Sequence, residues 1–203
     1  MVHSETVEIL FVCGANRCRS VVAEHLFRHF LLAADEKLAA KVSISSAGIV
    51  PRELIRRMKS RGRTISRPFF GRPPNEALVA AMAKKGIDVS GYRSRGVNRL
   101  MVEKADLIII VAQEVFRQAL LSLYPSAEGR VLTFSEFSGK QGYYLFADYD
   151  AAPRELYGWD WCEDPKHATA FVAEMEQHLA EVMPKFLERM RTGSTEWARQ
   201  RAE

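Results

Sequence analysis

Near the start of the chain a thiol, a guanidinium and a hydroxyl fall within eight residues, in the order Cys13-Gly14-Ala15-Asn16-Arg17-Cys18-Arg19-Ser20. Cysteine is a nucleophile only as the thiolate, a form favoured by a nearby cation and by a helix N-terminus. With five residues between them, Arg19 returns to the side of Cys13 after one turn of loop. From there it can bind two oxygens of a phosphoryl group while the sulfur attacks in line. Ser20 can donate a hydrogen bond to the sulfur and help it leave in a second step. Asn16 is one of the few side chains that tolerate the left-handed backbone such a loop needs. The implied chemistry is covalent phosphoryl transfer to Cys13, with Gly14, Ala15, Asn16, Arg17, Cys18 and Ser20 forming the anion cradle. A bare C-x5-R spacing equally describes a buried structural cysteine beside a surface arginine, so the flanking elements matter.

Those elements read as an alternation of strands and helices. Residues 8–12, ending at Cys13, form a short apolar run typical of a buried strand, and Ser20 opens a helical pattern carried by Val22, Leu26 and Phe30. A strand–loop–helix junction at the carboxyl end of a parallel sheet is where such folds bind ligands, and the helix start is an anion site. Residues 42–46 alternate as a second strand closed by Ala47-Gly48, residues 107–111 are a continuous β-branched run, and residues 130–134 read as a fourth strand. Helices are predicted over 76–85, with Asn75 as N-cap and Gly86 after the end, and over 113–123. A long last helix carries Phe171, Met175, Leu179, Val182, Phe186 and Met190 on one face, with a kink or break predicted at Pro184. The expected fold is α/β: a three-layer sandwich whose central four-stranded parallel sheet is flanked by helices.

At 203 residues the chain reads as a single domain, with a core over about 7–190, a basic insertion over 51–74 and a polar tail over 192–203. No stretch is long and apolar enough to span a bilayer, and the N-terminus lacks the pattern of a signal peptide. Three cysteines argue against a disulfide framework and for a reducing compartment, so a cytoplasmic location is expected. The net charge of +4 is unevenly spread. Residues 51–74 hold eight basic side chains against Glu53 alone, leaving the remainder mildly acidic. That distribution disfavours a nucleic-acid binder and suits recruitment of an acidic partner at one place; a solvated insertion accounts for it equally well.

The loop resembles the signature V-C-x-G-N-x-C-R-S-P of the low-molecular-weight protein tyrosine phosphatases through residues 12–20. The resemblance continues in family order through residues 45–48, 85–95 and 105–111, and ends at Glu163-Asp164-Pro165 before the last helix. It implies metal- and cofactor-free hydrolysis of phosphomonoesters on phosphorylated protein substrates, protein phosphotyrosine among them, through a cysteinyl-phosphate. Cys13, Arg19 and Asp164 would be the catalytic residues. Asp164 would protonate the leaving group and then activate water; by spacing alone it is the N-cap of the last helix. Ser46 corresponds to a serine that supports the loop asparagine. Cys18 corresponds to a cysteine that can pair with the nucleophile under oxidation.

The chain departs from the family at several places. Ala15 stands where glycine is usual, with Gly14 one place early. Arg17 replaces an apolar pocket-wall residue, Val21 replaces proline, and Lys166-His167 stand where tyrosines often flank the substrate ring. Arg17 and the basic insertion favour a more anionic substrate, and the charge of Arg17 disfavours a bare aromatic ring. Phe69-Phe70, Trp159 and Trp161 are candidate aromatic walls or packing residues, and Cys162 has no counterpart role. His25 and His29 share a helix face without an evident third ligand, so no metal site is expected. Two alternatives compete with the phosphatase. An arsenate reductase would use the same loop but needs further cysteines, absent between Arg19 and Trp161. A non-catalytic phosphate-binding module would need neither Cys13 nor Asp164.

Overall fold

The apolar run before Cys13 is the strand β1 (Val7–Cys13), and it lies inside the sheet rather than at its edge. The computed structural model describes residues 6–52, 55–56, 60, 70–139 and 163–193. The chain continues through α1 (Arg19–Ala34), a short α2 (Glu36–Ala39), β2 (Val42–Gly48) and α3 (Glu76–Ala83). It then forms α4 (Arg99–Lys104), β3 (Leu107–Ile110), α5 (Glu114–Leu123), a 3-10 turn at Pro125–Ala127, β4 (Val131–Thr133), α6 (Phe134–Ser138) and α7 (Pro165–Thr192). All strand pairs are parallel, in the order β2-β1-β3-β4.

Alternation along the two central strands builds two cores. Ile9, Phe11, Leu107 and Ile109 face α1, α3 and α7, where Phe27, Leu78, Met82, Phe171, Met175 and Phe186 are buried. Leu10, Val12, Ile108 and Ile110 face α4 and α5, meeting Val102, Phe116 and Leu120. Both faces of β3 are covered, which is why it reads as unbroken apolar sequence. The chain leaves β1 toward one face and β3 toward the other, so the crevice between their carboxyl ends is the topological switch point. The Cys13 loop fills it. The three-layer α/β sandwich expected from the sequence is the fold observed.

Three local readings change. Helix α7 runs unbroken through Pro184. Proline removes one backbone bond at a cost of about 3 kcal/mol, but Val182, Met183, Phe186 and Leu187 are buried on both sides of it. Burying side chains of this size is worth about 1.5–3 kcal/mol each, so packing outweighs the lost bond. The fourth strand stops at Thr133 because a capping box starts a helix there. Thr133 Oγ1 accepts from Glu136 N (3.2 Å), and Glu136 Oε2 accepts from Thr133 N (2.7 Å). Asn75 does precede α3, but its side chain makes no capping bond. Gly86, at φ +74, turns the chain after that helix.

Among the described residues no helix is long and apolar enough to cross a membrane. Phe69, Trp159, Trp161, Cys162, most of the basic insertion and residues 194–203 lie outside the described residues.

Candidate active site

Residues 14–18 bend at every position between the end of β1 and the start of α1. Helix α1 begins at Arg19 with Cys18 as its N-cap, no side-chain cap bond and no acidic residue in its first turn. Ser, Thr, Asp or Asn normally fills that position and satisfies the first helical N–H groups. Among the described residues, no acceptor takes the backbone N–H of Gly14, Ala15, Asn16 or Arg17. A run of uncommitted amides leading into an uncapped, right-handed helix is an anion-binding arrangement.

Cys13 is 2% exposed and carries a free thiol whose Sγ lies 3.1 Å from Ser20 Oγ. Ser20 Oγ accepts from Asn16 Nδ2 at 3.0 Å, and among the described residues the other partner for its own proton, besides the sulfur, is Ala47 O at 3.5 Å. The shorter contact is the one to sulfur. Ser20 is therefore oriented to donate to Sγ.

Asn16 holds the loop. It is the one non-glycine described residue with positive φ, at 54°, and it is completely buried. Its Nδ2 donates to Ser20 Oγ and, at 2.9 Å, to Ser46 Oγ. Its Oδ1 accepts from Tyr92 Oη and from Arg95 N, both at 2.8 Å. Ser46 Oγ in turn donates to Glu24 Oε2 at 2.6 Å and touches Tyr92 Oη at 2.9 Å, while Arg95 Nε donates to Ser46 O. Glu24 is 5% exposed and pairs with Arg28 at 3.1 Å. Burial pushes the Tyr92 hydroxyl above the usual phenol value, reinforced by the Glu24 charge and opposed by hydrogen bonds with Ser46 and Asn16, so it remains a donor.

Arg19 is buried, with its guanidinium carbon 5.6 Å from the centroid of the Phe116 ring. That cation–π contact helps hold the side chain against Phe116. It also explains the early glycine: a Cβ on Gly14 would stand 3.1 Å from Phe116 and 3.8 Å from Arg19 Nη2. Gly48 is more confined still. A Cβ there would meet Gly14 O at 2.5 Å and the Phe70 ring at 2.7 Å, and Gly96 lies against the other edge of the same ring. Phe70 is thus the anchor of its segment, not an open wall.

Arg17, on the rim, is half-buried and donates through Nε to Pro73 O at 2.8 Å. Burial first, and then the charge of Arg72, hold its guanidinium below the usual arginine value, against the pull of Glu163. Glu163 precedes Asp164, the N-cap of α7, so that helix start lies within electrostatic reach of the rim. Asp164 Oδ1 accepts from Lys166 N (2.8 Å) and His167 N (3.0 Å), which among the described residues leaves Oδ2 uncommitted. Those bonds, that of His167 first, and the nearby charges hold its carboxyl below the ordinary aspartate value. Asp164 is exposed.

The structure brings Cys13, Asn16, Ser20 and Ser46 into one hydrogen-bonded cluster, with Arg19 packed against Phe116. Tyr92, Arg95, Glu24 and Phe116 belong to the same assembly and went unrecognised as site residues from sequence. Only Glu24 carries a local signal, as a carboxylate within the apolar pattern of the first helix. Cys18 is disulfide-bonded while Cys13 is free, so the two loop cysteines are not joined to each other. The odd cysteine count argues against such bonds, and Cys18 departs from that expectation. His25 Nδ1 pairs with Val21 O at 2.9 Å and its ring meets the edge of Tyr92.

Comparison with known proteins adds sequence-level support. A family model described as low molecular weight phosphotyrosine protein phosphatase matches residues 8–67 and 55–146. The chain is 30% identical over 128 residues to EpsP of Ralstonia solanacearum, described as a probable low molecular weight protein-tyrosine-phosphatase; the match spans 63% of this chain and 70% of that protein. It is 32% identical over 108 residues to the low molecular weight protein-tyrosine-phosphatase YfkJ of Bacillus subtilis, spanning 53% of this chain and 58% of the relative. Among solved structures it is similar to the YwlE arginine phosphatase of Geobacillus stearothermophilus, with TM-score 0.65, 18% identity, and coverage of 91% of this chain and 96% of that one. A low molecular weight protein tyrosine phosphatase from T. tengcongensis gives TM-score 0.62 at 23% identity, covering 88% of this chain and 99% of that one. At such identities the structural likeness speaks for the fold.

Proposed function

The chain belongs to the low molecular weight phosphotyrosine protein phosphatase family, and from that premise we propose that it hydrolyses protein phosphotyrosine through a cysteinyl-phosphate on Cys13. The whole chain is read as one such domain. We take its location to be the cytoplasm, where Cys13, free here although Cys18 is disulfide-bonded, is kept as the thiol.

In this reading the loop amides and Arg19 bind the three non-bridging phosphoryl oxygens, and the Cys13 thiolate attacks phosphorus opposite the leaving oxygen. The phosphorus–oxygen bond breaks as the sulfur–phosphorus bond forms, and Asp164 Oδ2 gives its proton to the departing phenolate. The ionised Asp164 then takes a proton from water, whose oxygen attacks phosphorus. Cys13 leaves as a thiolate stabilised by the Ser20 hydroxyl, and inorganic phosphate departs. No metal or redox cofactor enters these steps. Ser46 keeps Asn16, and hence the loop, in shape.

One observation carries this reading: the buried thiol, hydrogen-bonded to Ser20, heads a loop of four uncommitted amides that leads into an uncapped helix start. A positive Arg17 on the rim suits an acidic phosphoprotein. The test is hydrolysis of p-nitrophenyl phosphate with chelator present, by wild type, Cys13→Ser and Asp164→Ala, followed by phosphotyrosine and phosphoarginine peptides. Turnover by wild type that Cys13→Ser abolishes is expected, with the phosphotyrosine peptide preferred. Wild type no faster than Cys13→Ser would sink the phosphatase reading.

A further inference from the structure

The loop has one arginine for the phosphate, and a second arginine, Arg17, that the phosphoryl chemistry does not use. We propose that Arg17 and Arg72 form a second anion subsite beside the phosphate loop, which selects phosphotyrosine peptides carrying an acidic side chain next to the phosphorylated residue. This inference rests on the phosphatase reading and names the substrate class of that same site.

The two guanidiniums are positioned by one hydrogen-bonded frame. Arg17 belongs to the loop, two residues from Arg19, so their Cα atoms are at most about 7.6 Å apart. Its Nε is fixed on Pro73 O at 2.8 Å. Pro73 follows Arg72, whose N donates to Ser94 Oγ (3.1 Å) and whose O accepts from Ser94 N (2.9 Å). Gly71 N donates to Ser94 O at 2.6 Å, and the next residue, Arg95, donates its N–H to Asn16 beside Arg17. Phe70, seated against Gly48 and Gly96, closes the frame. The rim segment carrying Arg72 is therefore tied to the catalytic loop at both ends.

The resulting charge arrangement is incomplete. Both arginines are half-buried, and the charge of Arg72 acts on Arg17 strongly enough to work against its protonated form. Among the described residues neither has a carboxylate within ion-pair distance, and the Arg72 guanidinium has no hydrogen-bond acceptor. Among the described residues, Glu163 is the one opposing charge that reaches Arg17. Two cations held together without a counterion favour an anion that can neutralise both. With Nε committed, Arg17 keeps its Nη groups for that anion, and Arg72 offers its whole fork. The scissile phosphate is already served by Arg19 and the amides. A peptide carboxylate adjacent to the phosphotyrosine fits what remains.

The experiment compares kcat/KM for a phosphotyrosine peptide flanked by Asp and Glu with the same peptide flanked by Asn and Gln, using p-nitrophenyl phosphate as a third substrate. The readout is the acidic-to-neutral ratio within each protein, so any general effect of a substitution cancels. Wild type is expected to favour the acidic peptide by about tenfold or more at low salt, with the preference shrinking as salt rises. Arg17→Gln and Arg72→Gln should each lower the ratio about threefold, and the double variant should bring it to about one. Glu163→Gln removes the competing carboxylate and should raise the ratio about twofold, an effect a merely structural role for Arg17 would not produce. A wild-type ratio near one, or a ratio unmoved in the double variant, overturns the subsite while leaving p-nitrophenyl phosphate turnover, and the phosphatase reading, intact. Affinities of the two peptides for Cys13→Ser test the subsite without turnover. Equal affinities overturn it even if the wild type hydrolyses none of the three substrates.

Discussion

Gly48→Ala is the sharpest test of how closely the strand end and the phosphate loop are fitted. The added Cβ would stand 2.5 Å from Gly14 O, 2.7 Å from a Phe70 ring carbon and 3.1 Å from Ala15 C, where ordinary contact begins at 3.4 Å. Phe70 can swing away, but Gly14 O cannot yield alone. Its peptide directly follows Cys13, whose carbonyl is held by Ile49 N at 2.8 Å. The shortfall of about 0.9 Å must therefore be taken up by the loop backbone or by the end of β2. Overpacking of this kind costs about 1–3 kcal/mol, equivalent for a chain of this size to a fall of roughly 2–12 °C in Tm. The kinetic loss should be larger in proportion, since a displacement near 1 Å at reacting groups costs about a hundredfold. Gly91→Ala is the control: its Cβ would meet nothing within 4 Å, so activity and Tm should hold. The assay is kcat/KM for p-nitrophenyl phosphate alongside thermal unfolding of both variants. Activity of Gly48→Ala within twofold of wild type would refute the argument that loop and strand leave no room.

Four further outcomes follow from the site. Asp164 must be protonated to act as an acid, and its folded-state value is lowered, so kcat should fall as pH rises through the acid range. Lys166→Ala should move that limb to higher pH, and Asp164→Asn should abolish it, as pH–rate profiles will show. Ser20→Ala removes the donor 3.1 Å from Cys13 Sγ. It should slow kcat by about one to two orders of magnitude, with a burst of p-nitrophenol marking accumulated phosphoenzyme. Tyr92→Phe takes one donor from Asn16 Oδ1 while Arg95 N remains, costing about 1 kcal/mol in denaturant unfolding. Ser46→Ala should cost about 1–3 kcal/mol more, because it strands buried Glu24 Oε2 and leaves one of the two Asn16 Nδ2 protons without its acceptor.

What could be read from the sequence, and what could not, divides along a physical line. The strand–loop–helix at Cys13 is a local pattern: the apolar run, the turn-tolerant Asn16 and the amphipathic start of α1 are adjacent in the chain, and each has its own propensity. The four strands were legible for the same reason, because β1 and β3 are buried on both faces and show it in composition. Pro184 was misread because propensity counts the missing backbone bond and cannot count the buried side chains around it. Thr133-Phe-Ser-Glu136 is a capping box that sequence could have revealed, and the β-branched run before it concealed the stop. The supporting residues were hidden for a different reason. Tyr92 and Arg95 reach Asn16 across more than seventy residues, and Phe116 reaches Arg19 from α5 on the other side of the sheet. Nothing in their local spacing says so.

Those long reaches make the catalytic loop a product of the whole fold. Asn16 sits at a left-handed φ that costs a non-glycine residue about 1–2 kcal/mol, and it has no helical or strand bonds of its own to offset that cost. The offset comes from β2 through Ser46 and from the 92–95 segment through Tyr92 and Arg95, each bond worth about 1 kcal/mol. The loop is therefore stable in its strained shape only once β2 has paired with β1 and residues 92–97 have docked on Gly48 through Gly48 N→Arg95 O and Val97 N→Gly48 O. The segment bearing Arg72 is fastened to Ser94, in that same docking stretch. Residues that shape the nucleophile's cradle and residues that set charge at its rim thus share one piece of backbone. A change of substrate preference can be made at Arg17 or Arg72 side chains, but a change in the 92–97 backbone should alter reaction and preference together.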